Sequence, residues 1–220
     1  MDIKQIIGER AAGYIMDGMI VGLGTGSTTY WAIKKIGELV QNGLRIKGVP
    51  TSEITEKLAI ESGIPLMKIN NVEYIDITID GADEFDTRKN LIKGGGGALL
   101  REKIIAAMTQ FYIIIADSSK KVTTLGNFPL PVEVTPFAWQ FTSRQLEKLG
   151  CATAIRMAKD KLYVTDNNNY ILDCRFKPIT HPKKLSEQIN SIPGVVENGI
   201  FPEMTQLIVS NNEAGEAIII

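Results

Sequence analysis

The segment Asp76-Ile-Thr-Ile-Asp80-Gly-Ala-Asp83-Glu84-Phe-Asp86 is followed within ten residues by Leu91-Ile-Lys93-Gly-Gly-Gly-Gly97-Ala-Leu-Leu-Arg101-Glu102-Lys103. Carboxylates, a lysine and bare backbone thus lie together in one short stretch. A carboxylate can move a proton, and an ammonium or a backbone N–H can steady the oxyanion that proton removal creates. Glycine at Gly94, Gly95, Gly96 and Gly97 lets a ligand approach those N–H groups with no Cβ in the way. The plainer reading is a flexible connector beside a solvated acidic loop; Lys93 and the acids Asp80, Asp83, Glu84 and Asp86 around the glycines weigh against it.

A second group suits an anion. Val21-Gly-Leu-Gly24-Thr25-Gly26-Ser27-Thr28-Thr29 joins an expected strand to an expected helix. The free N–H groups of the helix start, with the hydroxyls around them, form a cradle that fits a phosphate monoester. A dinucleotide site would need glycine where Ser27 stands and an acid after the next strand, where Val49-Pro50-Thr51 is found; a P-loop is excluded because no G-K-[ST] occurs. A glycine-bearing helix cap would be the ordinary alternative. Asp117-Ser-Ser-Lys120 follows another expected strand, so Lys120 is placed to offer positive charge or to sit in a solvated turn. Lys4 could reach a phosphate, although an exposed helix lysine is the simpler reading of its position.

These groups need elements to hold them. Ile75, Ile77 and Ile79 alternate with Asp76, Thr78 and Asp80, which predicts a strand ending at Gly81 with Asp80 at its carboxyl end. In open α/β sheets ligands bind at that edge. Ala98 to Ala107 reads as a helix with Glu102 about one turn in. Ile3–Ile15 reads as an amphipathic helix, Met19–Leu23 as a strand, Ser27–Val40 as a helix and Arg45–Val49 as a strand. A helix over Ser52–Gly63, strands over Leu66–Ile69 and Phe111–Ala116, and the elements above complete a mostly parallel, helix-covered sheet. The texture changes near Asn127-Phe-Pro129-Leu-Pro131. A helix from about Phe137 to Leu149, a hairpin over Tyr163–Phe176 folded at Asp166-Asn-Asn-Asn169, and a helix before Ile192 predict a small α+β domain. Gln206–Ser210 and Ala217–Ile220 read as elements returning to the first domain.

The bulk numbers narrow the function. At 220 residues, with 24 Lys plus Arg against 25 Asp plus Glu, the chain carries no net field or basic run that would favour nucleic acid or an anionic membrane. Small molecules are the expected partners. Cys151 and Cys174 form no C-x-x-C pair, so they read as reduced thiols packed as small hydrophobes rather than as a disulfide framework or zinc knuckle. No apolar run reaches membrane-spanning length, and the N-terminal residues lack a signal-peptide core, which makes the cytoplasm the expected location. The single histidine, His181, precedes Pro182 at a helix start, a surface capping position, so no metal site and no histidine triad is expected.

Taken together, T-G-S-T at Thr25–Thr28, T-S-x-x-T-x-x-L-A at Thr51–Ala59, D-G-A-D-E at Asp80–Glu84, K-G-G-G-x-A-L-x-R-E-K at Lys93–Lys103 and D-x-S-K at Asp117–Lys120 closely resemble ribose-5-phosphate isomerase, type A, in content and order. The resemblance continues through Phe128-Pro-Leu-Pro-Val-Glu-Val and Ile192-Pro-Gly-Val-Val-Glu-Asn-Gly-Ile-Phe. It implies reversible conversion of ribose 5-phosphate to ribulose 5-phosphate in the non-oxidative pentose phosphate pathway, without metal or organic cofactor, by a homodimer. It also implies an α/β fold: a Rossmann-like, mostly parallel sheet with helices on both faces over residues 1–128 and about 200–220, plus a small α+β, ferredoxin-like lid domain over 129–199.

Carried over by motif position, Glu102 is the base that moves a proton between C2 and C1 through an enediolate. Asp80, Asp83 and Lys93 handle ring opening and the oxygens. Thr25, Gly26, Ser27 and Thr28 hold the sugar phosphate with Lys120, joined by Gly81, Ala82, Gly94, Gly95, Gly96 and Lys4. The chain departs from the family pattern at Thr29 and Gly97, where alanine is common, at His181-Pro182, and in Phe201-Pro-Glu-Met-Thr-Gln-Leu-Ile-Val. Two other readings stand on the same fold: a coenzyme A transferase with Glu102 as nucleophile, and a non-catalytic sugar-phosphate sensor, which the lack of a basic recognition helix disfavours.

Overall fold

The computed structural model describes residues 2–176 and 178–220. In chain order the first elements are α1 (Ile3–Ala12), β1 (Ile20–Leu23), α2 (Ser27–Gln41), β2 (Lys47–Pro50), α3 (Glu53–Glu61), β3 (Ile75–Gly81), β4 (Glu84–Phe85) and β5 (Leu91–Ile92). There follow α4 (Leu99–Ala107), β6 (Thr109–Ile115), β7 (Leu130–Val134), α5 (Trp139–Glu147), β8 (Ala152–Ile155), β9 (Met157–Ala158) and β10 (Lys161–Leu162). The last are β11 (Tyr170–Arg175), α6 (Pro182–Asn190), β12 (Val195–Asn198), β13 (Ile200–Phe201), β14 (Leu207–Asn211) and β15 (Ala217–Ile219). They group into two units, one of Met1–Ala82, Arg101–Lys120 and Met204–Ile220, the other of Asp83–Leu100 and Lys121–Glu203.

The first unit is an α/β structure around a six-stranded sheet of order β15-β14-β6-β3-β1-β2. The pairs from β2 across to β14 are parallel, and β15 is an antiparallel edge. Parallel neighbours require crossover connections, which the helices supply. Pleat alternation sends Val21 and Leu23 to one face, against Ile7 and Ala11 of α1 and Ile33 and Ile36 of α2. Ile20 faces the other way and packs with Val49 and Ile105 of α4. Each wholly buried isoleucine contributes about 1.5–3 kcal/mol. The five parallel strands run β2-β1-β3-β6-β14 across the sheet, so the strand order reverses between β1 and β3, where a crevice is expected beyond the carboxyl ends.

In the second unit β7, α5, β8, β11, α6 and β12 run as β-α-β-β-α-β, with the short β9–β10 pair inserted between β8 and β11. Their sheet, of order β12-β7-β11-β8, is antiparallel throughout. Leu130, Val132, Leu172 and Cys174 of the sheet pack with Leu146 of α5 and Ile189 of α6. Cys151 and Cys174 are free thiols buried in this core. A second sheet, of order β13-β5-β4, carries the approach to Lys93.

Two elements differ from the sequence reading. Leu66–Ile69 forms no strand: Leu66 makes one isolated bridge to Gly48, and the chain then turns into a 3-10 helix at Ile69–Asn71. The expected Tyr163–Phe176 hairpin has its turn, with Thr165 N–H donating to Asn169 O, but not its paired arms. β11 pairs with β7 and β8, whereas the strand nearest before the turn, β10, pairs with β9.

Candidate active site

β1 delivers Gly24 and Thr25 to the crevice, and α2 begins at once. Gly26 caps that helix with φ 134° and no side-chain cap bond, so the first N–H groups of α2 lack intrahelical acceptors and face outward with the positive end of the helix dipole. Ser27 is exposed and its Oγ accepts from Lys4 Nζ at 2.9 Å, which brings Lys4 to the cradle. Thr28 is buried. Thr25 Oγ1 lies 2.8 Å from Thr51 Oγ1, 2.7 Å from Ser52 Oγ and 3.0 Å from Thr55 Oγ1. Ser52 also caps α3 by accepting from Thr55 N–H at 3.1 Å. The T-S-x-x-T motif therefore anchors the loop that bears the cradle.

Asp80 ends β3 beside this loop and is wholly buried. Its Oδ1 accepts from Gly81 N–H at 2.7 Å and Thr25 N–H at 3.2 Å, and its Oδ2 from Tyr112 Oη at 3.1 Å. The carboxylate thereby ties the ends of β1 and β3 together across the crevice. Glu102, in the first turn of α4, is 4% exposed and placed where a helix start favours negative charge. Burial, then the negative charges of Asp80 and Glu102, push the Tyr112 phenol well above its usual range. Tyr112 thus stays a donor. Lys120 lies in the 3-10 turn Ser118–Lys120 after β6, at the same carboxyl edge of the sheet. Gly81 and Ala82 are half-buried beyond β3.

In the second unit, Asp83 donates its N–H to Ile92 O at 2.8 Å, and its Oδ2 accepts from Gly95 N–H at 2.7 Å. Lys93 is 2% exposed; its N–H reaches Gly199 O at 2.9 Å and its Nζ stands 5.5 Å from the Phe201 ring centroid. Burying an ammonium so completely is costly unless it is paired or put to use. Gly94 has φ 101° and Gly97 φ 84°, while Gly95 and Gly96 are exposed.

The acidic run divides by environment. Asp80 and Asp83 border backbone that a ligand could reach. Glu84 instead accepts from Gly126 and Phe128 N–H, and Asp86 from Arg88 and Asn90 N–H and Asn90 Nδ2, so both staple loops. Sequence reasoning did not single out Tyr112; its signal was a hydroxyl inside an apolar strand, which must find a partner when buried. His181 stands at the N-cap of α6 without a side-chain cap bond. Among the described residues no group of three or more His, Cys, Asp or Glu is arranged to hold a metal ion.

The family model for ribose 5-phosphate isomerase A (phosphoriboisomerase A) matches residues 47–215. The chain is 53% identical over 208 residues to ribose-5-phosphate isomerase A 1 of Oceanobacillus iheyensis, covering 94% of this chain and 93% of that one. It is 49% identical over 216 residues to ribose-5-phosphate isomerase A of Bacillus mycoides, covering 98% of each. The solved ribose 5-phosphate isomerase A of Methanocaldococcus jannaschii superposes with a TM-score of 0.95 at 37% identity, covering 100% of this chain and 98% of that one. A D-ribose-5-phosphate isomerase in complex with phospho-erythronic acid superposes with a TM-score of 0.96 at 38% identity, covering 100% and 99%.

Proposed function

We infer the work of each residue from one premise: the chain belongs to the ribose 5-phosphate isomerase A family. It is an aldose-ketose isomerase that interconverts ribose 5-phosphate and ribulose 5-phosphate. The reaction moves one proton between adjacent carbons. A hydrogen beside a carbonyl is weakly acidic, so its removal needs a base and a stabiliser for the enediolate. In our reading Glu102 takes the proton from C2 and returns it to C1. One carboxylate suffices because the two carbons are neighbours, and a positioned base supplies roughly 10²–10⁴-fold.

Asp80 and Asp83 exchange protons with sugar hydroxyls during ring opening, while Lys93 and the N–H groups of Gly94 and Gly96 steady the developing oxyanion; Gly95 N–H, expected among those donors, is taken by Asp83 Oδ2 at 2.7 Å and orients that carboxylate instead. The start of α2, over Gly26, Ser27 and Thr28 with Thr25 behind them, receives the phosphate; Lys4 and Lys120 add positive charge, and Gly81 and Ala82 line the sugar. The observation that carries this reading is Glu102, 4% exposed in the first turn of α4, whose charge helps raise the pKa of the Tyr112 phenol that donates to Asp80 Oδ2 at 3.1 Å. A phospho-erythronic acid ligand in a relative at 38% identity supports a phosphorylated sugar acid or sugar as the fitting shape. The reading extends to a cytoplasmic homodimer, supported by the family resemblance alone.

The test is ketose formation from ribose 5-phosphate in the presence of EDTA, with Glu102→Gln run alongside. The expected result is activity that survives chelation and falls at least about 10²-fold in the variant, with substrate binding retained. Near-normal turnover in Glu102→Gln would remove Glu102 from the mechanism, and loss of wild-type activity on chelation would argue for a metal.

A further inference from the structure

We propose that Arg156, assisted by Tyr163, is a positioning residue that aims the Gly94–Gly97 loop and, through it, Asp83. The inference rests on the reading above that Asp83 acts on the sugar. Four consecutive glycines form the most conformationally free stretch a chain can have, and a site built on their N–H groups needs something else to fix them. Arg156 Nη1 donates to Gly94 O at 2.8 Å and to Gly95 O at 3.1 Å. Tyr163 Oη donates to Gly96 O at 3.2 Å. Three successive carbonyls are therefore held from one side.

A peptide unit is planar, with its C=O and the following N–H pointing opposite ways. Fixing Gly94 O therefore fixes the direction of Gly95 N–H, which is the group that meets Asp83 Oδ2 at 2.7 Å. Arg156 is itself held rigidly. Asp173 on β11 accepts from its Nε at 3.0 Å and its Nη2 at 2.5 Å, and Arg156 N–H donates to Ile171 O at 2.8 Å. Tyr163 is tied to the same strand run by its N–H donating to Arg156 O at 3.0 Å. A planar fork that binds a carboxylate with two nitrogens and still caps two carbonyls is something lysine cannot reproduce. Gly97 belongs to the device. A Cβ there would lie 2.1 Å from Tyr163 Oη, so glycine at this position makes room for the tyrosine.

The test compares kcat and KM of the full chain with those of Arg156→Met, Arg156→Lys, Asp83→Asn and the double variant Asp83→Asn/Arg156→Met, with folding checked by circular dichroism and urea midpoint. Misplacing a reacting group by about 1 Å costs about 10²-fold. We expect Arg156→Met and Arg156→Lys to lower kcat by about 10-fold or more with KM changed less than about 3-fold. The decisive readout is non-additivity: the double variant should fall at least about 3-fold short of the product of the two single penalties, since part of what Arg156 does it does through Asp83. Penalties that multiply would overturn the inference. So would normal kcat in both Arg156 variants beside an impaired Asp83→Asn, which would leave the reading of Asp83 standing. A fully active Asp83→Asn would sink both. If Arg156→Met does not fold, Arg156→Lys and its double with Asp83→Asn carry the comparison.

Discussion

A Cβ at position 24 would lie 2.2 Å from Asp80 Oδ1. Gly24→Ala must therefore push Asp80 off its seat, and overpacking of this kind costs about 1–3 kcal/mol. We expect a lower urea midpoint together with a fall in kcat. A midpoint unchanged from wild type would show that the crevice yields. Tyr112→Phe keeps the shape but takes a donor from Asp80, a loss of about 1.5–3 kcal/mol for a bond to a charged group. It also has a pH signature. Above about pH 10 an unfolded phenol ionises, whereas the folded Tyr112, with its raised pKa, keeps its proton. The folded state then binds more protons than the unfolded one, so stability is lost as pH rises through and beyond that value. Urea midpoints of Tyr112→Phe should decline less steeply from pH 10 upward than those of wild type. Tyr112, Arg156 and Tyr163 escape the sequence reading because each works through a partner distant in the chain, and no short motif records such a pairing.

Among the elements, β3 was legible because one face is apolar and the other is not, so the isoleucine alternation and its stop at Gly81 both show in the text. The Leu66–Ile69 segment has the composition of a strand but only one bridging neighbour, and pairing is a non-local fact. β4 and β5 hide for a similar reason: two residues each are too few for a period to register. β7 carries Glu133, fully buried, accepting from Thr165 Oγ1 at 2.8 Å and Asn169 Nδ2 at 2.9 Å. That carboxylate is the post to which the Asp166–Asn169 turn is fastened. Glu133→Leu strands the buried Thr165 hydroxyl at about 1–3 kcal/mol and leaves the half-buried Asn169 amide without this acceptor. Its urea midpoint should drop clearly, and more than that of Glu133→Gln, which retains an acceptor. Equal midpoints would mean that the turn holds itself.

For the whole molecule, helices alternating with parallel strands could be read from local periodicity, but the β2-β1-β3-β6-β14 order that sets the crevice between β1 and β3 could not, because it depends on which strands choose one another. The proposed homodimer should sediment at about twice the 24.2 kDa chain mass; a species at the chain mass alone would leave the catalytic reading intact and remove the dimer. The chain passes between its two units after Ala82, Leu100, Lys120 and Glu203. During synthesis this sets an order of arrival. Every residue of the second unit has been joined before β14 is made, while the sheet of the first unit still lacks the strand that pairs with β6. On the ribosome the unit begun later can close first, while β6 waits with an open edge, a row of unpaired N–H and C=O groups that stays a template for mispairing until β14 arrives.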